Sequence, residues 1–542
     1  MAESERHQRR WMAGYVVATF LSFPQPLPFF PGVVLDLGIG ISLAVPVCLV
    51  LGLAGRSVRQ ASVGAFAWTV LAHGFVLHFI YVVTRTYGHA PAAVAVIAPF
   101  ALATYAAILA ALFGAGWVWM RNVGYGNAFT AAILWTVLDH LRGFALSGWP
   151  WATLGYAQHL NPGLLGLAQW TGVYGLSFTV VLAGIALVEL SRSRVRGETP
   201  SRSTLAALAV VVVLHGIGFA TRIQPGVNDS MGNETIRVAA IQGNIEQGVK
   251  WNRAWLERTI GTYEDLSRKA AAEGAEIIVW PETAIPGAVE ADAVMQSRVR
   301  MLAQETGASF VVGSVGVEVD RTNGSVGRFF DSAFLVEPSR GFTERYDKSH
   351  LVPFGEYVPF RGLLGGLLRA VASGIAGGDV TPGEAPRALD LRVEGRAETS
   401  RHLRVGVPIC YELLFPHLVR RFVDDGGGIL FGITNDAWYG RTGAPYQFLA
   451  ITAMRSAETG VYTVRAANTG VSAVIDSGGW VREQTPIFES AYLVADVPLR
   501  RVGAADSSGK TFYVRHGDVF AVTCWVVLAA TFLLAYRSKP RE

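Results

Sequence analysis

Three side chains able to act together on a carbonyl lie far apart in this chain: Glu282 in Trp280-Pro281-Glu282, Lys348 in Tyr346-Asp347-Lys348, and Cys410 in Val407-Pro408-Ile409-Cys410-Tyr411-Glu412. A carboxylate beside a thiol accepts its proton, an ammonium favours the thiolate and steadies an oxyanion, and the thiolate attacks a carbonyl carbon. The other two cysteines, Cys48 and Cys524, fall inside apolar stretches, so Cys410 has no disulfide partner in its own polar region. Singly, each residue has a plainer role: a lone cysteine is a small buried apolar group, Glu282 a cap or loop residue, Lys348 a surface lysine. Their shared position argues for chemistry, because each follows a strand-like run.

Residues this far apart meet only where the elements carrying them end together. The polar stretch from about 223 to 516 reads as extended over 236–244, helical over 251–273, extended over 276–282 and helical over 289–306. It continues extended over 309–318, 332–338, 403–412 and 428–436, helical over 444–460 and extended over 463–475. This alternation predicts a layered α/β domain with its site at strand ends.

Composition indicates where such a domain works. Of 542 residues, 51% are hydrophobic and only 16% charged, and the mean hydropathy is positive, which is the profile of a membrane protein. The net charge of +4 is spread over scattered basic residues with no basic, aromatic-interleaved stripe, which sets a nucleic-acid partner aside. Seven apolar segments precede the polar domain, at about 11–29, 33–54, 61–83, 92–118, 127–146, 162–190 and 204–221, and an eighth follows at about 517–536. Each is near the roughly 20 residues that cross a bilayer as a helix. The expected organisation is a membrane domain of about seven helices over 1–222, a catalytic domain over 223–516, and a last helix with a short tail over 517–542.

Arg6, Arg9, Arg10, Arg56, Arg59, Arg121, Arg192, Arg194, Arg196, Arg202, Arg537, Lys539 and Arg541 all fall on one side of that pattern. The positive-inside bias then puts both termini in the cytoplasm and the polar domain on the opposite face. Asp139, His140 and Arg142, near the end of the fifth segment, are expected to pair or to meet head groups. His73 and His78 read as residues satisfied by neighbouring helices, and no spacing suggests a metal site.

The ordered set Trp280-Pro281-Glu282-Thr283, Lys348-Ser349-His350-Leu351-Val352-Pro353-Phe354-Gly355-Glu356 and Cys410-Tyr411-Glu412 resembles the Glu, Lys and Cys signatures of the nitrilase superfamily. Together with the flanking apolar segments, the chain resembles the apolipoprotein N-acyltransferases over almost its whole length. Further matching pieces are Gln242-Gly243-Asn244, Trp251, Thr434-Asn435-Asp436-Ala437-Trp438, Arg465-Ala466-Ala467-Asn468-Thr469-Gly470, Gly148-Trp149-Pro150-Trp151 and Leu154-Gly155-Tyr156. The resemblance implies a multi-span α-helical membrane domain and an extracytoplasmic α/β nitrilase-like domain, an α-β-β-α sandwich. It implies Glu282 as general base, Lys348 as oxyanion-stabilising cation and Cys410 as nucleophile. Glu356, Glu412 and Tyr411 are implied as supports, with Glu412 orienting Lys348 or a substrate amine and Glu356 holding Glu282 or Lys348 in the correct ionisation state. Trp251, Trp438 and Asn435 are implied as substrate-binding; core packing is the alternative for Trp251, Tyr411 and Trp438. Three departures from the family pattern are Phe330-Asp331, Glu246 and Gln447-Phe448.

The implied reaction is a two-step acyl exchange without cofactor or metal. Cys410 takes an acyl chain from a membrane phospholipid, at the sn-1 position, as a thioester, and passes it to the N-terminal α-amine of a diacylglyceryl-cysteine lipoprotein. The implied setting is the bacterial inner membrane, with the protein acting as a monomer on two bilayer-held partners. Two other readings stay open: a membrane-anchored amidase in which water resolves the thioester, and a scaffold without activity. Residues 360–376 carry leucines at helical spacing, which predicts either a lipid-gating arm or a helix packed on the domain core.

Overall fold

The computed structural model describes residues 2–27, 29–30, 32–222, 235–250, 253–319, 326–359, 380–394, 400–500 and 509–537. The 360–376 segment and Trp251 lie outside these described residues.

Among the described residues, four helices are long and apolar enough to cross a bilayer: Ala92–Asn122, Val173–Arg196, Arg202–Thr221 and Val519–Arg537. A fifth crossing is broken, with Val58–Val76 followed by Phe79–Tyr87 at an angle of 65°. The protein is therefore multi-pass, but several expected spans are cut short or divided. The first helix, Ala2–Leu21, ends ahead of Pro24 and Pro26, and Gln25–Pro26 pairs instead with Val34–Leu35. Proline has no N–H for the helical ladder, so the helix stops there. The second segment divides into Gly38–Ile41 and Ala44–Gly52, and the fifth is the 15-residue Ala128–Arg142. At 1.5 Å per residue that helix is about 22 Å long, short of the ~30 Å hydrocarbon core. The sixth segment begins as two short turns, Pro162–Leu165 and Ala168–Thr171; the long helix starts only after Gly172, whose φ of +62° breaks the run. The irregular chain after Ala128–Arg142 is held by protein, with Arg142 Nη2 donating to Trp151 O at 2.9 Å and to Thr153 Oγ1 at 3.0 Å.

The polar domain is built from two packed sheets. In one, Thr235–Gln242, Ile277–Val279 and Ser309–Val319 run parallel at the centre, flanked by antiparallel Ala491–Pro498, Val326–Glu337 and Gly341–Asp347. In the other, Ser400–Gly406, Ile429–Thr434 and Tyr462–Ala467 are parallel, with Leu389–Glu394, Ala473–Ile475 and Val481–Gln484 at the edges. Strand side chains alternate between faces, which separates the core into layers. Val238, Ala240, Ile277, Val279 and Val311 meet the second sheet's Leu389, Leu391, Val405 and Val407. Ala239, Ile241, Ile278, Phe310 and Val312 face the helices Arg253–Ala272 and Ala293–Thr306. On the far side lie Pro416–Asp424 and Ala444–Thr459. The order helix, sheet, sheet, helix is the α-β-β-α sandwich expected.

One of the outer helices is not on a surface. Every residue of Ala444–Thr459 except Tyr446 is buried, because the membrane helices cover the face turned away from the sheet. Trp151 Nε1 donates to Gln447 Oε1 at 2.8 Å, Val173 N donates to Glu458 Oε1 at 2.8 Å, and Arg455 Nη2 donates to Tyr156 OH at 3.2 Å. The catalytic layer thus sits directly on the membrane bundle.

Candidate active site

Glu282 stands three residues past Ile277–Val279, where Trp280 N still donates to Val311 O at 2.8 Å. The chain then turns through Thr283, whose φ is +47°. The adjacent strand passes so close that a Cβ on Gly313 would lie 2.1 Å from Pro281 O and 2.8 Å from Glu282 Cα. Glycine is required there, and the close approach fixes the turn.

Lys348 directly follows Gly341–Asp347, and its N–H donates to Asp331 O at 2.8 Å. The side chain is fully buried. Its ammonium donates to Glu282 Oε1 at 3.2 Å, Asp331 Oδ2 at 3.2 Å and Glu356 Oε1 at 2.5 Å, which uses its three N–H bonds. Burial works against this charge, but Glu356, Glu282, Asp331 and Cys410 outweigh it and hold the ammonium pKa well above its ordinary value. The three carboxylates offer oxygens within 4.8 Å of one another, a spacing suited to a metal, and the cation they surround is this ammonium.

Cys410 opens the single turn Cys410–Leu414 after Ile409, which bridges to Ile433. Its φ is +45°, a conformation few residues other than glycine adopt, so the surroundings must hold it. Much of that hold comes from Glu412. Its Oε2 accepts from Ile409 N at 2.9 Å, while Oε1 accepts from Ser349 N at 2.8 Å, Ser349 Oγ at 2.7 Å and Tyr346 OH at 2.6 Å. Glu412 thereby ties the cysteine turn to the segment carrying Lys348. These partners do not include the ammonium: Glu412 meets the Lys348 segment at Ser349 and Tyr346. Burial, followed by the carboxylate of Glu282, pushes the Cys410 thiol well above its usual range against the pull of Lys348. The resting group is a thiol whose proton must leave during attack.

Glu356 touches Lys348, as one of the two expectations for it had it, and is held by Val352 N at 2.8 Å. Tyr411 is buried against the membrane bundle, donating to Gly148 O at 2.8 Å beside the Trp149 ring. Asn435 has its amide engaged: Nδ2 donates to Gln247 Oε1 at 2.8 Å and Oδ1 accepts from Asn468 Nδ2 at 3.1 Å. Trp438 is 38% exposed and meets the Tyr87 ring edge-on at 5.2 Å, at the end of the broken span. Asp331 was not among the expected site residues. Its signal in the sequence is a carboxylate inside the apolar strand Val326–Glu337, between Phe330 and Ala333.

Residues 237–506 match the carbon-nitrogen hydrolase family model, and residues 17–186 match that of the apolipoprotein N-acyltransferase N-terminal domain. The apolipoprotein N-acyltransferase of Geobacter metallireducens is 38% identical over 499 residues, covering 91% of this chain and 90% of that protein. That of Vibrio cholerae is 30% identical over 557 residues, covering 99% of each. Among solved structures, an amidase from Nesterenkonia sp. aligns with 54% of this chain and 98% of its own at 18% identity and a TM-score of 0.37.

Proposed function

Because the chain belongs to the apolipoprotein N-acyltransferase family, and is an enzyme with a nitrilase-superfamily domain, we propose that it moves an acyl chain from a membrane phospholipid to a lipoprotein amine through a thioester on Cys410. The observation that carries this reading is the convergence of Glu282, Lys348 and the strained Cys410 from three strand ends, in a layer seated on membrane helices.

In the first step Glu282 accepts the Cys410 proton as sulfur attacks the ester carbonyl, taken as the sn-1 ester. The oxyanion forms beside the Lys348 ammonium, whose charge its carboxylate partners preserve. The intermediate collapses with loss of the lysophospholipid alkoxide, which takes the proton from Glu282. In the second step the α-amine of a diacylglyceryl-cysteine attacks the thioester, Glu282 accepts a proton from nitrogen, and sulfur departs to be reprotonated. A thioester is activated toward amines, so the exchange needs no energy source. Both substrates are bilayer lipids, and extracting a chain into water costs about 0.8 kcal/mol per methylene, which accounts for a catalytic layer resting on the bundle. The same reading puts the protein in a bacterial inner membrane, with the catalytic domain on the extracytoplasmic face.

The test uses detergent-purified full-length protein, a phospholipid labelled in its sn-1 chain, and Cys410→Ala alongside. Hydroxylamine-sensitive label on wild type alone, discharged by a diacylated lipopeptide with a free amine, is the expected outcome. Label on Cys410→Ala defeats the nucleophile assignment. Rapid loss to water without an amine favours the amidase reading, and label from the sn-2 chain alone defeats the positional one.

A further inference from the structure

The arginine-bearing end of the helix bundle holds a cavity of about 240 Å³ that the acyl exchange does not use. Four helices meet there. Ala92–Asn122 and Val173–Arg196 end at it with basic last turns, while Ala128–Arg142 and Arg202–Thr221 begin at it through the lining residues Asn127 and Ser201. A helix start carries partial positive charge, and here the negative poles of the two arriving helices are countered by arginines. Arg192 and Arg196 line the cavity. Arg121 stands behind its wall, packed so tightly on the lining residue Gly126 that a Cβ there would overlap its side chain. With Arg194 and Arg202 on the same two helices as the lining, five arginines meet two acids, Glu189 and Glu198.

The acids leave an excess. Glu189 Oε2 accepts from Thr204 Oγ1 at 2.8 Å, and Glu198 Oε2 reaches Arg196 Nη1 only at 4.0 Å, with both of those side chains mostly exposed. The ion pairs among the described residues include none for Arg192, which is half-buried. Ser193, Ser201 and Ser203 add hydroxyls to the lining, with Ser201 Oγ and Ser203 Oγ 2.9 Å apart. Guanidinium forks, hydroxyls and helix starts brought together are the donors that recognise a phosphate.

Size and surroundings indicate where that phosphate comes from. The cavity is smaller than the ~300 Å³ at which sites for whole small molecules begin, so it suits a head group whose remainder lies outside. Beyond Ser201 and Thr204 the same helix carries Leu205, Val212 and Phe219 at seven-residue spacing, 53%, 71% and 53% exposed. Seven residues return a helix to nearly the same face, so these three form an apolar stripe that starts beside the donors. Acyl chains fit such a stripe, whereas a free phosphate ion has no use for it. The positive-inside bias predicts that this end faces the cytoplasm, where anionic lipids gather and basic pockets between membrane helices bind their head groups.

We propose that this cavity binds the phosphodiester of an anionic glycerophospholipid of the inner leaflet. Arg192 and Arg196 hold the phosphate with the serine hydroxyls, and the acyl chains lie along Leu205, Val212 and Phe219. Glu189 and Glu198 accept from head-group hydroxyls, as a glycerol head group offers. The lipid is a bound partner at the opposite end of the bundle from Cys410, not the acyl donor, and its binding does not depend on the catalytic reading.

The test is native mass spectrometry of the full-length protein in detergent, given equal amounts of phosphatidylglycerol and phosphatidylethanolamine. Wild type should retain phosphatidylglycerol in preference. Arg192→Gln with Arg196→Gln should weaken that retention about 25-fold, at about fivefold for each arginine removed. Arg194→Gln with Arg202→Gln, two arginines outside the lining, should change it little. Both double variants should melt with the wild type when no lipid is added, and both should still take label from a phospholipid donor onto Cys410. Equal weakening by the two pairs would reduce the arginines to a diffuse charge without a site. Equal retention of phosphatidylethanolamine would remove the anionic selectivity, and full displacement by inorganic phosphate would make the occupant a free anion. Each of these results overturns the proposal, as does loss of Cys410 acylation in step with the lipid, which would identify that lipid as the donor. Absence of label on wild-type Cys410 with the lipid preference intact would support the site and defeat the catalytic reading alone.

Discussion

At Cys410 the electrostatics and the strain serve different ends. The positive φ holds the thiol in place, while burial and Glu282 keep its proton on. The thiolate fraction therefore rises with pH through and beyond the ordinary thiol value of 9.0, and alkylation by a small neutral reagent should climb through that range without levelling off. A plateau below about pH 8 would mean a preformed thiolate paired with Lys348. Glu412 supports the same turn from a distance. Glutamine there would set its amide N–H2 against either Ile409 N–H or the donors of Ser349 and Tyr346, leaving a buried donor unmet at about 1–3 kcal/mol. Displacing the turn by about 1 Å should cut kcat on the order of 100-fold, with KM little changed. Steady-state kinetics of Glu412→Gln with a melting curve checks both effects, and a change confined to KM would assign Glu412 to substrate binding instead. Glu282, Lys348 and Cys410 stood out in the sequence because each follows a strand-like run, while Glu356 and Glu412 were singled out only by the family resemblance. Asp331 was not legible as a site residue. It reads as one strand position, and it reaches Lys348, 17 residues away, only through the pairing of two antiparallel strands.

At the scale of elements, the central sandwich strands were legible from short apolar runs but Val481–Gln484 and Ala491–Pro498 were not, whereas the membrane segments were legible in place but not in form. Hydropathy counts apolar residues; it does not register a proline at the end of a helix or a glycine such as Gly172 that breaks one. Leu389–Glu394 escaped because only Leu389, Leu391 and Val393 of its six residues are apolar, while its partner Ser400–Gly406 was met in part by the extended run expected over 403–412. The irregular stretch around Trp151 has a structural role that its composition hides. The Trp151 ring lies 5.0 Å from Phe79, 5.6 Å from Phe448 and 5.8 Å from Tyr439, and its N–H meets Gln447, so it fastens the broken span to the catalytic layer. Trp151→Ala should destabilise the protein by about 3–5 kcal/mol through the cavity it leaves. Trp151→Phe keeps the ring but strips Gln447 Oε1 of its donor, for about 1–3 kcal/mol. Thermal unfolding in detergent distinguishes them, and equal melting temperatures for wild type and Trp151→Ala would show that the junction carries no such load.

Across the whole molecule, four long helices run between the side of the catalytic layer and a group of arginines. Val173 N contacts Glu458, and the same helix ends at Arg192, Arg194 and Arg196. Ala92–Asn122 starts just after Tyr87, which donates to Ala437 O, and ends at Arg121, close enough to Arg192 for the two charges to repel. Arg202–Thr221 begins beside that group and runs back toward the polar domain, and Val519–Arg537 leaves the domain and ends on its own arginine. The arginines at these helix ends thus lie away from the catalytic layer, and the positive-inside bias predicts that they face the cytoplasm. A cysteine at Ser339, on an exposed turn of the catalytic domain, should then react with a membrane-impermeant maleimide in permeabilised-outer-membrane cells, using a chain stripped of its native cysteines. One at Glu198, in the exposed loop between the arginine-bearing helix ends, should react only after the inner membrane is opened. The reverse pattern would invert the protein and remove its site from the face where the proposed acceptor amine is presented; labelling of both without lysis would mean that Glu198 is not enclosed at all.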